Sequence, residues 1–150
     1  MTPEDTKSHI LKLLGDELVC VISTVTSEGL SESAAMAFTA FEDFSIAFQT
    51  PDNTRKYQNL KSNPSVSIVV GWDVLTMISV QYEGFAQEVT DAEEINRIRK
   101  AQLEKNSHSE RYAHIPENKY FLVKPLWVRY SELQEGSEYI YEFNPLSNSK

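Results

Sequence analysis

Short β-prone segments separated by tight turns occupy most of this chain and restrict the folds available to it. Residues 19–25 are apolar and β-branched, a polar turn containing Gly29 follows, and residues 31–39 are extended again, which predicts a hairpin. Apolar side chains alternate with small or polar ones over residues 44–49, as in a strand with one buried face. Three further segments are β-prone: 65–72, 76–89 and 120–130. Short strands joined by tight turns favour an antiparallel sheet closed into a barrel.

Three helices are predicted beside this sheet. Thr2 is a capping residue and Pro3 suits the first helical position, so a helix is predicted over residues 3–15. A short helix over 55–62 ends before Pro64, because proline disfavours helical geometry in the residue before it. A third helix is predicted to begin at a capping box formed by Thr90 and Glu93.

The pattern as a whole predicts a mainly β fold: an antiparallel barrel of six strands with peripheral helices. The strands do not alternate with long helices, which argues against a doubly wound parallel sheet. Residues 106–119 are expected to form a polar loop, and residues 133–150 a mostly polar C-terminal tail. With 41% hydrophobic residues, the 150-residue chain is expected to form a single domain, 1–150.

Composition and charge exclude several classes of protein. No apolar run approaches the ~20 residues of a membrane helix, and the N-terminus is too acidic and polar for a signal peptide. The single cysteine, Cys20, excludes an internal disulfide and a multi-cysteine metal site. The net charge of −8 is opposite to that of a typical nucleic-acid binder. We therefore expect a cytoplasmic protein that binds neither nucleic acid nor membrane.

Familiar catalytic motifs are missing from the sequence. It contains no glycine-rich phosphate loop and no nucleophile elbow. Three histidines, His9, His108 and His114, lie on a predicted helix and a polar loop and are expected to be exposed, without a metal. Cys20 lies in an apolar strand and is expected to be a core residue. No general acid or base is evident, so the catalytic residues are not assigned.

One segment does point to a ligand. After a predicted strand, Thr50 and Thr54 flank a turn, and the cations Arg55 and Lys56 stand at the start of a helix. Cations are unfavourable at this end of the helix dipole, whereas the free amides there suit a phosphate. The two cations therefore indicate an anion site. Side chains that simply point to water explain them equally well.

The order of residues around this segment resembles the pyridoxamine 5'-phosphate oxidase-like superfamily of FMN-binding split barrels. The resemblance is carried by Thr50-x-x-x-Thr54-Arg55-Lys56-x-x-x-Leu60-x-x-Asn63-Pro64 and the β-prone run ending at Trp72. The hairpin with Gly29 and the later Tyr82-Glu83-Gly84-x-Ala86 match in order and spacing, so that the resemblance covers residues 10–130.

The resemblance implies a site for flavin mononucleotide (FMN). Arg55 and Lys56 would bind its phosphate, assisted by Thr54. The remaining cofactor contacts that it implies come from Phe48, Gln49, Thr50, Met36 near the ring or ribityl chain, and Ser79, which stands where the family often has a glutamine.

Two departures from the family separate this chain from the vitamin-converting oxidases. Ala34 and Thr39 replace an arginine and a lysine on the second strand, and the C-terminal Arg-Leu-His-Asp-Arg element has no counterpart after Leu133. The leading interpretation is an FMN-dependent oxidoreductase of unassigned substrate. The alternatives are a non-catalytic flavin- or heme-binding protein for storage, sensing or stress response, a deazaflavin-binding protein, and an empty barrel that acts as an interaction module. Heme would require an axial ligand such as His108 or His114.

A homodimer with two flavin sites at its interface is also expected. Large apolar residues on the strands exceed what one thin barrel easily buries, and exposing them would leave a patch unusual for a monomer: Met36, Phe38, Met77 and Trp127. The resemblance implies that each flavin site is built by both chains. Trp127 or Arg129 would then reach the site from the second subunit.

Overall fold

The computed structural model describes residues 1–147 and places eight strands of this range in one antiparallel sheet. The strands are β1 Val19–Val25, β2 Ser31–Ala37, β3 Thr39–Ala40, β4 Ile46–Pro51, β5 Ser65–Val70, β6 Ser79–Val89, β7 Asn118–Gln134 and β8 Ser137–Phe143. The helices are α1 Pro3–Asp16, α2 Arg55–Ser62, α3 Ala92–Lys105 and α4 Glu110–Ala113, with a 3-10 turn at Ser107–Ser109 before α4.

The sheet forms a barrel that is split along one side. Its strand order is β2-β1-β5-β6-β7-β4-β3, with β8 added to β7. The two ends of this path, β2 and β3, are separated in sequence by Phe38 alone. The chain itself therefore links the two ends, while β2 and β4 are left without a hydrogen-bonded ladder between them. The predicted mainly β, antiparallel split barrel with peripheral helices is confirmed.

The predicted number of six strands is wrong, for two physical reasons. The extended segment over 31–39 is divided at Phe38, whose side chain is buried in the core. The C-terminal tail is not merely polar, because Tyr139, Tyr141 and Phe143 alternate with exposed residues and pack one face of β8. Glu135 and Gly136 join β7 to β8 in a two-residue turn in which both have positive φ, 44° and 83°, as a tight hairpin requires.

Several predicted boundaries also move. The cap of α3 is Asp91, whose carboxylate accepts from the amide of Glu94 at 2.9 Å, so the predicted box at Thr90 is wrong. The polar loop at 106–119 contains the 3-10 turn and α4. The strand predicted from Thr76 begins at Ser79, because residues 71–78 form a loop with positive φ at Gly71 and Met77.

The core fills the barrel and extends beneath α1. The capping box at Thr2, completed by Asp5, starts this helix as predicted and Ile10 and Leu14 on its inner face are fully buried. At the centre of the barrel, the Tyr82 hydroxyl donates to the carbonyl of Phe44 at 2.7 Å. These contacts hold the strands that carry the candidate site in fixed positions.

Candidate functional site

Two adjoining cavities lie along the split side of the barrel. Residues 35–37 of β2 line the larger, of about 510 Å³, with Gln49 and Pro51 of β4 and a wall from α3 and α4. Residues 32–34 of β2 line the smaller, of about 200 Å³, with Thr54, Arg55 and Lys56 at the start of α2. The two linings meet between Ala34 and Ala35 of β2.

The strand-to-helix turn beside the smaller cavity is fixed by hydroxyl groups. Thr54 caps α2 by accepting from the amide of Tyr57 at 3.2 Å, and its hydroxyl donates to the carbonyl of Pro51 at 3.0 Å. The hydroxyl oxygens of Thr50 and Thr54 are 2.7 Å apart. The turn thus presents the N-terminus of α2 and its two cations to one cavity, and their binding of an anion stays a prediction.

The two cations have different surroundings. Arg55 is largely exposed, and its Nη1 lies 3.0 Å from Oε2 of Glu32 on β2. Lys56 is more than half buried, and this burial lowers the pKa of its ammonium. Within residues 1–147, no carboxylate lies within 4.0 Å of the Lys56 Nζ. Its charge is therefore available to an anion in the smaller cavity.

Glu32 is a member of this site that the sequence interpretation missed. Its second carboxylate oxygen accepts from Nδ2 of Asn59 at 2.9 Å, and the same Nδ2 lies 2.9 Å from the hydroxyl of Thr24. Asn59 and Thr24 are buried, so the carboxylate has a defined position. The alternation of inward residues 32, 34 and 36 along β2 was the available signal, since it places Glu32 on the face of Met36.

The larger cavity combines apolar walls with polar groups that have no protein partner. Met36 and Phe38 contribute apolar surface. Among the described residues, the side-chain oxygens of Thr39, Gln49 and Ser109 are shielded from water and make no hydrogen bond, and all three residues line this cavity. Buried polar atoms normally have partners. The edge of a flavin ring, with its amide and carbonyl groups, supplies such partners once these side chains rotate toward it, so the residues present fit this cofactor.

The other predicted site residues are divided between these cavities and the rest of the fold. Met36 and Gln49 line the larger cavity, as does His108, whereas His114 lines neither. Phe48 is fully buried and stacks on Phe121 at a centroid distance of 5.2 Å. Its side chain belongs to the core, which leaves only its backbone for a ligand.

Ser79 and Trp127 line neither of the two cavities in this chain. The Ser79 hydroxyl lies 3.3 Å from that of Ser131, and Nε1 of Trp127 donates to Glu142 at 3.1 Å. One chain therefore does not bring Trp127 to Arg55 and Lys56. Its predicted role, from a second subunit, stays a prediction.

The exposed apolar residues are not all those that the sequence predicted. Of the four residues expected to form a patch, Met36 and Phe38 are buried within the monomer, which contradicts the expectation that they are left exposed. The exposed apolar side chains concentrate instead in the loop over residues 71–78, and they are Trp72, Val74, Leu75 and Met77. We call these four residues the apolar loop.

Residues 1–147 contain neither a metal-ligand cluster nor a membrane-spanning helix, and their single cysteine is buried. Three or more His, Cys, Asp or Glu side chains do not cluster anywhere in this range as a metal site would require. None of its helices combines the length and apolarity needed to cross a membrane. Cys20 is fully buried, and burial raises the pKa of its thiol to about 12, so it is not a nucleophile at neutral pH.

Comparisons with known proteins agree with this geometry. The model of the family described as pyridoxamine 5'-phosphate oxidase matches residues 6–132. A comparison with curated proteins finds no match.

Solved structures share the fold at low sequence identity. A pyridoxamine 5'-phosphate oxidase-related, FMN-binding protein from Nostoc punctiforme superposes with a TM-score of 0.73 at 15% identity, covering 96% of this chain and 91% of its own. A heme-binding protein from Mycobacterium smegmatis gives 0.80 at 17%, covering 97% of this chain and 60% of its own. General stress protein 26 from Bacillus anthracis gives 0.68 at 21%, covering 83% and 92%.

Proposed function

The chain belongs to the pyridoxamine 5'-phosphate oxidase family, and we propose that it is a flavoprotein that binds FMN across the two adjoining cavities and serves as an oxidoreductase. The observation that carries this proposal is the continuity along β2 between an anion cradle and an apolar cavity with unsatisfied polar groups. The anion cradle consists of Arg55, Lys56, Thr54 and the N-terminus of α2. A phosphate on a planar, amphipathic ring system matches both parts.

The residues of the two cavities have different roles in the proposed binding of FMN. Lys56 and Arg55 offer charged donors to the phosphate, and Thr54 fixes the turn that presents them. Gln49 would offer an acceptor to the polar edge of the ring, and Met36 would pack beside it. When bound, the flavin supplies hydride or electron transfer. The chain's part is to orient the ring and exclude water from one side of it.

Conversion of a pyridoxamine or pyridoxine phosphate is not the proposed activity. Ala34 and Thr39 stand where those oxidases carry cations, and Thr39 is buried. An oxidase assay with saturating FMN should show negligible turnover. Rates of roughly 1 s⁻¹ or more, ordinary for enzymes, would contradict this part of the proposal.

A second candidate function, heme binding, is favoured by one observation. His108 lines the larger cavity and is exposed, so its imidazole is accessible to an iron centre. Deazaflavin would use the same two cavities as FMN. The visible spectrum of freshly purified protein distinguishes flavin, deazaflavin and heme directly.

The test of FMN binding compares two ligands that differ only in the phosphate. FMN and riboflavin are titrated into the protein while flavin fluorescence is followed. FMN should bind much more tightly, because riboflavin cannot use the anion cradle. Equal affinities for FMN and riboflavin would contradict a role of the anion cradle in phosphate binding. If NADH or NADPH then failed to reduce the bound flavin, a non-catalytic binding role would be favoured.

A further inference from the structure

Lys105 brings an ammonium group into the wall of the larger cavity from the helix side. It is the last residue of α3, and its Nζ donates to the carbonyls of Leu14 at 2.8 Å and Phe38 at 3.0 Å. The same Nζ lies 3.6 Å from the centroid of the Phe38 ring. More than half of the group is buried, and burial lowers its pKa to about 8.

The positive charge of Lys105 has no contacting counter-ion in the described part of the chain. Its hydrogen-bond acceptors are neutral carbonyls, no carboxylate of that part lies within 4.0 Å of its Nζ, and the carboxylates of Asp16 and Glu17 act on it only from farther away. Buried charges are normally paired, because leaving water without a counter-ion is costly. A cavity bordered by a cation without a contacting carboxylate therefore favours an anionic ligand.

The hydroxyl groups near Lys105 also favour an anionic ligand. Ser109 follows it by one turn and lines the same cavity, and Thr39 adjoins Phe38, whose carbonyl Lys105 contacts. Neither hydroxyl has a partner among the described residues, and Thr39 is only 5% exposed. After rotation of their side chains, both can donate to an oxygen anion.

We propose that the larger cavity binds a small planar organic carboxylate whose negative charge lies against Lys105, with Ser109 and Thr39 as additional donors. As the substrate class of an oxidoreductase, this inference rests on the proposed function. The binding step itself does not, because it requires only the cavity and its charge.

A purely structural role for Lys105 makes a different prediction. The contact with Leu14 places a cation at the C-terminal end of α1, which has no basic residue in its own last turn and is stabilised by one. Loss of that role lowers the stability of the fold. It does not change how the cavity discriminates between a charged ligand and a neutral one of the same shape.

The experiment therefore measures a ratio of affinities. 2-Naphthoate and the neutral 2-naphthamide are titrated by calorimetry at pH 7 into the wild-type protein and into Lys105→Met and Lys100→Met. Lys100 is an exposed lysine on the same helix and serves as the matched control. We expect wild type and Lys100→Met to bind the carboxylate about tenfold more tightly than the amide, and Lys105→Met to bind the two alike.

Each other outcome overturns the inference. Equal binding of the two probes, or no binding of either, by the wild-type protein shows that the cavity does not select carboxylates, and this comparison needs no variant. A preference retained by folded Lys105→Met assigns the carboxylate elsewhere. FMN titration of the same proteins without either probe reports on the proposed flavin site, so failure of one proposal is distinguishable from failure of the other.

Discussion

The carboxylate of Glu32 forms an ion pair with the guanidinium of Arg55, at 3.0 Å, inside the cavity that we propose for the flavin phosphate. Asn59 holds the other carboxylate oxygen at 2.9 Å. The anion cradle thus contains its own negative group, which neutralises one of its two cations. An incoming phosphate has to share Arg55 with Glu32 or displace it.

Replacing Glu32 with glutamine should strengthen FMN binding. The variant Glu32→Gln keeps an oxygen to accept from Asn59 but removes the competing charge. Partly exposed ion pairs contribute up to about 1 kcal/mol. We therefore expect the affinity for FMN to increase roughly two- to fivefold and the affinity for riboflavin to change little. Fluorescence titration of both ligands measures this.

The exposed Glu28, in the turn between β1 and β2, provides a control with the same change of net charge. Glu28→Gln should leave FMN affinity nearly unchanged. Weaker FMN binding by Glu32→Gln would contradict the competition model, since it would mean that Glu32 positions Arg55 for the phosphate.

Loss of either cation of the anion cradle should weaken FMN binding selectively. Charge-assisted hydrogen bonds contribute about 1.5–3 kcal/mol. We expect Arg55→Ala to fall at the lower end, because Arg55 is largely exposed and already paired with Glu32. We expect Lys56→Met to cost more, because Lys56 is more buried and has no such partner among residues 1–147.

Lys61, in the last turn of α2, is the matched control for these variants. Lys61→Met should bind FMN like the wild type, and riboflavin affinity should be similar in all three variants. An equal loss of riboflavin affinity would indicate damage to the fold rather than to the phosphate site.

The sequence brings the residues of the proposed anion cradle together more readily than those that line the larger cavity. The cradle is local: the strand, the capping threonine and both cations lie within residues 50–56, so their spacing alone places them together. Lys105 and Ser109 reach the larger cavity from α3 and the following 3-10 turn, more than fifty residues away in sequence from the strands opposite. The hydrophobic periodicity of a sequence does not show which cavity the end of a helix will line.

The strands were predictable where a turn or an alternation marks them, and the errors occurred where tertiary packing decides. Phe38 divides an extended segment because its side chain enters the core. The tail becomes β8 because β7 offers an unpaired edge from Val128 onward, and Thr6 of α1 lies 2.7 Å from the Tyr139 hydroxyl. Both depend on partners distant in sequence.

The pH dependence of the stability of the fold should depend on Lys105. Its pKa is lowered by burial from 10.5 to about 8. Between pH 8 and about 9.5 this group therefore binds more protons in the unfolded chain than in the folded one, so its contribution to the free energy of unfolding increases with pH. Urea unfolding at pH 7.5 and pH 9.5 should show a more positive change in the free energy of unfolding in the wild type than in Lys105→Met.

Other groups do not reproduce this difference. Burial raises the pKa of the Cys20 thiol to about 12, so over this range the thiol ionises only in the unfolded chain, which lowers the free energy of unfolding with pH by about the same amount in both proteins. Tyr130, whose pKa is also raised to about 12, acts in the opposite direction and only above about pH 10. Lys56 contributes equally in both proteins. The same change with pH in Lys105→Met as in the wild type would show that Lys105 is not buried in solution.

A side chain at Gly84 should destabilise the barrel. Gly84 lies on β6 where the register with β7 shifts, and a Cβ there would collide with the carbonyl oxygen of Lys124 and approach Cγ1 of Val123 to 2.8 Å. Overpacking of this kind costs about 1–3 kcal/mol. Gly84→Ala should lower the free energy of unfolding by about this amount in urea. In the control variant Gly15→Ala the added Cβ meets open space in α1, so the free energy of unfolding should instead rise by about 0.5–1 kcal/mol. If Gly84→Ala were tolerated without loss of stability, β6 and β7 would have to relax at this point.

The last prediction is that the protein forms a homodimer whose assembly is linked to FMN. The apolar loop exposes four large side chains within six consecutive residues, and Leu75 is 84% exposed. Clustered exposure of this kind is unusual for a monomer, and a two-fold partner is the commonest way to cover it. The two cavities that we propose for FMN lie along the split side of the barrel, so a ligand contacted by both chains would favour the assembled state. Light scattering at micromolar concentration should give twice the 17.1 kDa of one chain, with tighter association when FMN is added.

Leu75→Glu should weaken both the dimer and FMN binding. Leu30→Glu, which changes an exposed leucine in the β1–β2 turn, should change neither. A 17.1 kDa monomer that still binds FMN tightly would contradict the dimer and the shared site together.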